Sequence, residues 1–259
     1  MKKISLILII FSFLSSNALA KPNNLALKKN INTPNTDDSE IQNYQSSTTV
    51  KIQDPYEKIN RQIFAFNESF DRYFFEHVAK TYRKTVPNPA RRMVRNFLSN
   101  LSLPISAVNS FAQGKIDNGL STFSTFLINS TIGVGGLFNI AKSKGISYNF
   151  EDLGQTMGYY NIGQGSFIML PVLGPSTSRD FVGFVADKAI NPLNFNLAEI
   201  GGQRNLVDSN FLAAAGSLLA IDTRESLIDI IDDIRQDSFD PYATIRFAYL
   251  SKRAREIKK

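Results

Sequence analysis

The sequence predicts a mainly α-helical protein: a compact single-domain helical ring with an amphipathic central channel and a glycine-rich hairpin. The helical class rests on three observations. Apolar residues recur at helical spacing over most of the chain from Asp54 onward. Asp-Pro and Asn-Pro pairs stand where helices would begin. No sustained alternation of apolar and polar residues marks a sheet, and the one weak case is Gly165 to Val172. The chain has 259 residues, 43% of them hydrophobic and 20% charged, a balance that supports a packed core.

The elements follow in order. Residues 1–20 carry a basic start at Lys2 and Lys3, an apolar run from Ile4 to Leu14 and a small-x-small site at Ala18-Leu19-Ala20, the pattern of a cleavable secretory signal peptide. Residues 21–53 are rich in Asn, Ser, Thr, Lys and Asp and are read as a disordered tether. Residues 54–259 form the folded domain. Asp54 suits an N-cap, Pro55 the first helical position and Glu57 a capping box, which predicts a helix to about Lys84. Tyr56, Ile59, Ile63, Phe66, Phe70, Tyr73, Phe74 and Val78 gather on one side, which Phe64 and Phe75 widen. Asn60, Asn67 and Asp71 fall inside that arc as a polar seam. Two readings stand: a buried helix whose Asn residues bond to neighbours, or a helix whose seam faces a wet lumen.

Asn88-Pro89 opens the next helix, Pro104 a further one, and Gly114 closes it as a C-cap. Asp117 to Ile128 is helical in pattern. The stretch "TIGVGGLFNIA" (131–141) has no charge and is broken by Gly133, Gly135 and Gly136, and "AKSKG" after it reads as a turn. From Asp117 to Lys142 the chain runs uncharged for about two dozen residues, the length of a membrane span, yet with interruptions that no simple spanning helix would carry. A second uncharged stretch covers Leu153 to Ser178, and an apolar phase or a fully buried core would each accommodate it. Asp187 to Ile200 is helical but broken by Pro192, and Asn205 to Ala220 is a helix of small and aliphatic residues. Asp222 and Glu225 make a capping box for "TRESLIDIIDDIRQ", and Asp240-Pro241-Tyr242 starts the last helix. That helix ends in Lys252, Arg253, Arg255, Lys258 and Lys259, cations that suit a helix C-terminus.

The chemistry-bearing residues are few. There is no cysteine, which excludes disulfides and thiol chemistry within these residues and leaves no site for a lipoprotein acyl anchor. The net charge of +6 in an exported chain fits anionic headgroups or a solvated basic surface, and no nucleic acid is implied. His77 is the one histidine and has no partner in sequence. "GQGSF" and "GPSTS" lack the spacing of a nucleophile elbow, and "GVGGLFN" lacks the Lys-Ser or Lys-Thr of a phosphate loop. No metal-ligand spacing occurs, and Asp229, Asp232 and Asp233 read as the wet face of a helix. Neither an enzyme nor a cofactor is expected.

Five blocks in the same order resemble the MlaA (VacJ) family of outer-membrane phospholipid-transport proteins, covering Asp54 to about Arg253. They are "DPYEKINRQIFAFNESFDRYF", "VPNPARRMVRNFLSNLSLPISAVNSFAQG", "FLINSTIGVGGLFNIA", "DLGQTMGYYNIGQGSFIMLPVLGPSTSRD" and "DTRESLIDIIDDIRQDSFDPYATIRFAYLSKR". The resemblance implies a helical ring in the inner leaflet of the outer membrane. Through its channel, phospholipid that has strayed into the outer leaflet passes to a periplasmic lipid-carrier protein, beside a porin trimer. It implies a gating hairpin with its bend at Gly133, Gly135 and Gly136 and apolar contacts at Ile128, Ile132, Val134 and Leu137. By the same match, Asn60, Phe64, Asn67 and Asp71 are candidate channel lining. Leu170, Pro171, Gly174, Pro175, Arg179 and Asp180 form a structural block whose prolines and glycines fix a turn and whose charged pair bonds or caps a helix. Family members are commonly acylated on cysteine, and this chain departs from that. Two rival readings are a porin-binding adaptor that carries no lipid, and a lipid hydrolase using Ser166 or Ser176 with His77.

Overall fold

A computed structural model describes residues 54–190 and 209–259. The expectations for residues 1–53, for the far side of Pro192 and for Asn205 lie outside the described residues. Within them the chain is mainly α-helical, as predicted, with one two-stranded sheet.

Helix α1 (Glu57–Phe70), a π-helical turn (Asp71–Phe75) and α2 (Glu76–Thr85) follow one another without a break. The predicted cap at Asp54 does not form. Tyr56 occupies the N-cap position and no side chain caps α1. The Asp54 carboxylate instead accepts from Asn60, Tyr242 and Arg246, so it fastens the two ends of the described chain together.

Helix α3 (Asn88–Ala112) is continuous through Pro104, where a new helix had been expected. The proline removes one N–H, the partner of the Asn100 carbonyl, and the helix absorbs that single loss. Gly114 closes α3 as predicted. It sits at φ +74°, its N–H donates to the Phe111 carbonyl at 2.9 Å, and the Lys115 N–H donates to the Ser110 carbonyl at 3.0 Å, the double bond of a Schellman ending. Helix α4 (Ile116–Thr131) then returns along α3, and α5 (Ile140–Ser143) is a single turn where "AKSKG" had been read as a turn.

Helix α6 (Leu153–Tyr159) is capped by Asp152, which accepts from the Gln155 N–H at 2.8 Å. Strands β1 (Phe167–Leu170) and β2 (Gly174–Thr177) pair antiparallel, Phe167 opposite Thr177 and Leu170 opposite Gly174. The weak alternation in sequence is therefore real, and the block expected to be only a turn supplies the second strand. Helix α7 (Ser178–Ile190) starts earlier than expected, and the predicted breaker at Pro192 lies outside the described residues. Helices α8 (Ser209–Ser226), α9 (Ile228–Asp237) and α10 (Pro241–Ile257) complete the fold. The capping box at Asp222 and Glu225 does not exist: both lie inside α8 as buried acceptors for Arg95. The Asp240 cap does form, and accepts from the Ala243 N–H at 3.1 Å.

The apolar core is small. Phe167 and Met169 of β1 pack with Tyr242, Tyr249 and Leu250 of α10, and Ile63 and Phe64 of α1 lean on them. Among the described residues more polar and charged side chains are buried than apolar ones. The densest polar cluster surrounds Arg253, 5% exposed. Its guanidinium donates to both oxygens of Asp152 at 2.8 Å and to both of Asp180 at 3.1 Å. Arg179 and the Tyr249 hydroxyl also donate to Asp180. Arg253 had been read with the basic tail, but the fold buries it. Burial would raise both aspartates, yet Arg253 outweighs it and holds them below the usual carboxylate range. Above this cluster α6 and α7 touch backbone to backbone: a Cβ on Gly183 would lie 2.4 Å from the Gly154 nitrogen.

Asp187 of α7 behaves oppositely. It accepts from the Leu153 N–H at 2.8 Å and from Asn109 at 3.0 Å, and burial, helped by Asp152, pushes it up to about 6.

Arg253→Met removes the cation that serves two buried carboxylates, and should lower stability by about 3–5 kcal/mol, read from denaturant unfolding in mild detergent. The Asp152 and Asp180 contribution is present above about pH 4 and is lost as pH falls through their depressed values. The Asp187 contribution has the other sign: it is present below about pH 4 and lost as pH rises through about 6. Asp187→Asn should therefore flatten the fall in melting temperature between pH 4 and pH 7, whatever its effect on the absolute value.

Candidate functional site

Helix α4, with the end of α3 that lies beside it, is built with inverted polarity. On α4 the buried positions are Gly119, Thr122, Thr125 and Asn129, while Ile116, Leu120, Phe123 and Leu127 are exposed at helical spacing. Each buried threonine satisfies its hydroxyl within the helix, Thr122 donating to the Asn118 carbonyl at 2.7 Å and Thr125 to that of Ser121 at 2.8 Å. Helix α3 matches this pattern only in its last turns, where Ser106, Ala107, Asn109 and Ser110 are buried and Val108 and Phe111 are exposed, whereas Leu98, Leu103 and Ile105 before them are buried. Small residues let the two helices approach closely, as in helix pairs surrounded by lipid. In water such a helix would place its large apolar side chains inside. Among the described residues no helix is long and apolar enough to cross a membrane.

The glycine bend closes the end of α4. Gly135 and Gly136 take φ of +69° and +95°, and Val134 between Gly133 and Gly135 takes +54°, a conformation that a β-branched residue resists. Gly133 is needed for space instead: a Cβ there would lie 2.3 Å from the Phe138 carbonyl oxygen. The Gly135 N–H donates to the Ser130 carbonyl at 3.0 Å and that of Gly136 to Asn129 at 2.7 Å, so the bend is internally bonded. Three asparagines bolt it down. Asn96 donates to the Leu137 carbonyl, Asn100 to the Ser130 hydroxyl, and Asn129 to Asn139 while accepting from the Ala141 N–H. Ile132 and Val134 stand out, 69% and 60% exposed, and Ile128 and Leu137 are half-buried.

The seam residues of α1 meet the protein's own groups. Asn60 donates to Asp54 and to the Phe167 carbonyl and accepts from the Met169 N–H. Asn67 donates to the Leu170 carbonyl and accepts from the N–H of Val172, which is itself at φ +66°. Asp71 accepts from Arg224 at 2.6 and 2.7 Å and from Arg235 at 2.6 Å. Phe64 meets the Tyr242 ring edge-on. In the remaining block Leu170 and Gly174 end the strands, Pro171 lies in their loop and Pro175 pairs with Met169. Arg179 and Asp180 pair as expected, at 3.1 Å. Sequence reasoning missed the asparagines at 96, 100 and 129. They lie on inward faces at helical spacing, but nothing in sequence showed that they face the bend.

The Ser176 hydroxyl is buried and donates to the Thr177 carbonyl, and Ser166 offers its carbonyl to Ser178. Among the described residues no cluster of three His, Cys, Asp or Glu side chains is placed to hold a metal ion.

Residues 52–256 match the profile of the family described as MlaA lipoprotein. The chain is 31% identical to a protein of Rickettsia bellii over 226 residues, 85% of each chain. It is 32% identical over 203 residues to the intermembrane phospholipid transport system lipoprotein MlaA of Escherichia coli K12, covering 77% of this chain and 76% of that one. A solved structure from work on the structural basis for maintenance of bacterial outer membrane lipid asymmetry superposes with a TM-score of 0.68 at 32% identity, covering 79% of this chain and 99% of the other.

The bend yields a graded series. Gly136→Ala would bring its Cβ within 2.7 Å of the buried Asn100 side chain, whereas Gly135→Ala meets nothing and suffers only its positive φ. Thermal melts should show Gly136→Ala costing about 2–3 kcal/mol and Gly135→Ala about 1. Val134→Gly should be neutral or stabilising, because the strain it removes offsets the entropy it adds.

Proposed function

The chain belongs to the MlaA family, and from that membership we propose that it carries phospholipid between the outer membrane and the periplasm. It removes phospholipid from the outer leaflet and so maintains the lipid asymmetry of the outer membrane. The observation that carries this reading is the inverted polarity of α4, with Leu120 and Phe123 outward and Thr122 and Thr125 inward.

The protein sits at the periplasmic face of the outer membrane, in its inner leaflet, after export by the signal peptide of residues 1–20, and residues 21–53 tether the domain of residues 54–259. None of the 259 residues is a cysteine, so no thioether-linked acyl chain holds them. The outward apolar face of α3 and α4 does so instead, at roughly 25 cal/mol for each Å² it removes from water. A charge on that face at depth costs about 2.5–3.5 kcal/mol, which accounts for its uncharged composition.

Lipid moves by passive passage through an amphipathic channel beside the hairpin, with a porin trimer as neighbour and a periplasmic carrier as acceptor. The wall near α1 includes Asn60, Phe64, Asn67 and Asp71. Their bonds to β1, α8 and α9 support a wall of fixed shape rather than one of free polar groups. The bend at Gly133, Gly135 and Gly136, with Ile128, Ile132, Val134 and Leu137, gates the passage. The block from Leu170 and Pro171 through Gly174 and Pro175 to Arg179 and Asp180 holds the hairpin strands against α10. No step makes or breaks a covalent bond in the lipid.

Transfer of labelled phospholipid from outer-membrane vesicles to an acceptor tests this. Gly135→Val and Gly136→Val should slow transfer at least tenfold while circular dichroism keeps the helical signal. Unchanged transfer in both would leave the glycines as a turn without a gating role, and no transfer by the unmodified protein would refute the transport reading itself.

A further inference from the structure

The end of α6 carries exposed aromatic side chains on a turn that the fold holds in place. Tyr159, Tyr160 and Ile162 all face outward. The Asn161 N–H donates to the Gly158 carbonyl at 3.0 Å and the Ile162 N–H to that of Met157 at 2.9 Å. Arg179 donates to the Ile162 carbonyl at 3.2 Å. The Tyr160 hydroxyl donates at 2.6 Å to the carbonyl of Ala112, the last residue of α3, where the helix offers no partner. Beside that carbonyl stand Phe111 and Ile116, both exposed, where the outward apolar stripe of α4 begins. The Lys115 ammonium bonds Glu151 at 2.9 Å and lies 5.5 Å from the centre of the Tyr159 ring.

Helix α10 ends against the same turn: a Cβ on Gly158 would lie 2.6 Å from the Ile257 side chain. Around that end Arg255, Lys258 and Lys259 are exposed and pair with no carboxylate among the described residues. Glu256 among them is taken by Lys252 and Arg253. Asp117, exposed in the first turn of α4, opposes the three cations. The helix dipole accounts for a cation in the last turn of α10. It does not account for exposed tyrosines beside three free cations. Tyrosine, with an apolar ring and a polar tip, collects where hydrocarbon meets water, and lysine and arginine are drawn to anionic headgroups at that level.

We propose that the ends of α3, α6 and α10 form one interfacial band that binds the anionic headgroups of a phospholipid bilayer. Tyr159 and Tyr160 sit at the edge of the hydrocarbon, and Arg255, Lys258 and Lys259 in the headgroup layer. The inference rests on the membrane location given above and adds the lipid charge that the protein selects. Charge attracts over about 10 Å at 0.1 M salt, a reach that the apolar face of α4 does not have. That matters in a chain whose 259 residues include no cysteine to acylate.

Flotation of the full chain, as exported from cells, with vesicles of phosphatidylcholine alone or mixed with phosphatidylglycerol tests the band. Each cation at an anionic surface strengthens binding about fivefold. The triple variant Arg255→Gln, Lys258→Gln, Lys259→Gln should therefore bind the mixed vesicles about a hundredfold more weakly and the neutral ones unchanged. Asp117→Asn should bind the mixed vesicles about fivefold more tightly, a gain that a merely structural role would not produce. Arg92→Gln, about 30 Å along α3 from Ala112, should change nothing. All five side chains are exposed and unpaired, so the helical signal and melting temperature should hold. An unchanged triple variant, or an equal loss in Arg92→Gln, would overturn the proposal. So would equal binding of the unmodified protein to both vesicles, which would leave the membrane location intact and α4 as the anchor. Binding to neither vesicle would overturn the membrane location as well.

Discussion

One buried cation holds the architecture together. Arg253 of α10 donates to Asp152, which caps α6, and to Asp180 in the first turn of α7. Three helices that are distant in sequence are thus locked at one guanidinium. An isolated charge in that interior would be prohibitive, so the pairs must be complete for the fold to exist. The requirement extends outward. Arg253 can reach both Asp152 and Asp180 only if α6 lies close to α7; that closeness needs glycine at 183, and a Cβ at 154 would meet the side chains of Arg253 and Asp180. Tyr249 joins the cluster through its hydroxyl and the apolar core through its ring, which ties the charged centre to β1.

A fold organised around buried polar ties has apolar side chains to place elsewhere. Helix α4 and the last turns of α3 place them on their outer surface, and α7 does so in part, with Val182 and Val185 exposed while Phe184 is buried beside Gly183. Along α4 the inner face is bonded and the outer face is apolar, which is the arrangement a lipid environment rewards, since close packing and hydrogen bonds are what remain to drive helix association there. The glycine bend continues the same logic. Its backbone bonds are internal, so it leaves few free N–H or C=O groups to face hydrocarbon.

Much of this was legible in sequence, and what was not has physical causes. The helical pattern of α4 and the Gly114 ending are local and were readable, but which way the apolar side of α4 faces was not. Identical local signals elsewhere gave different outcomes. Asp240-Pro241-Tyr242 forms a cap, but Asp54-Pro55-Tyr56 does not, because Tyr242, Arg246 and Asn60 compete for the Asp54 carboxylate. Asp222 and Glu225 have the spacing of a capping box, yet the arginines of α3 bury them in mid-helix. Arg253 looks like one basic tail residue among five, and only the approach of α6 and α7 separates it from its neighbours. At the candidate site the glycines stood out, whereas Asn96, Asn100 and Asn129 carried no local mark, because their role depends on where the bend folds back. Tertiary demand overrode local propensity at each of these points.

The central claim is that the outward face of α4 touches lipid chains and the inward face does not. The chain has no cysteine, so single cysteines can be introduced and labelled without background. The first measurement is fluorescence quenching of an environment-sensitive label by lipids that carry a quencher in the acyl chain, with the protein in outer-membrane vesicles. Labels at Leu120, Phe123 and Leu127 should be quenched strongly, and a label at the exposed Asp233 of α9 should not. Equal, weak quenching at all four positions would mean that α4 faces water or protein, and the embedded lipid conduit would be wrong.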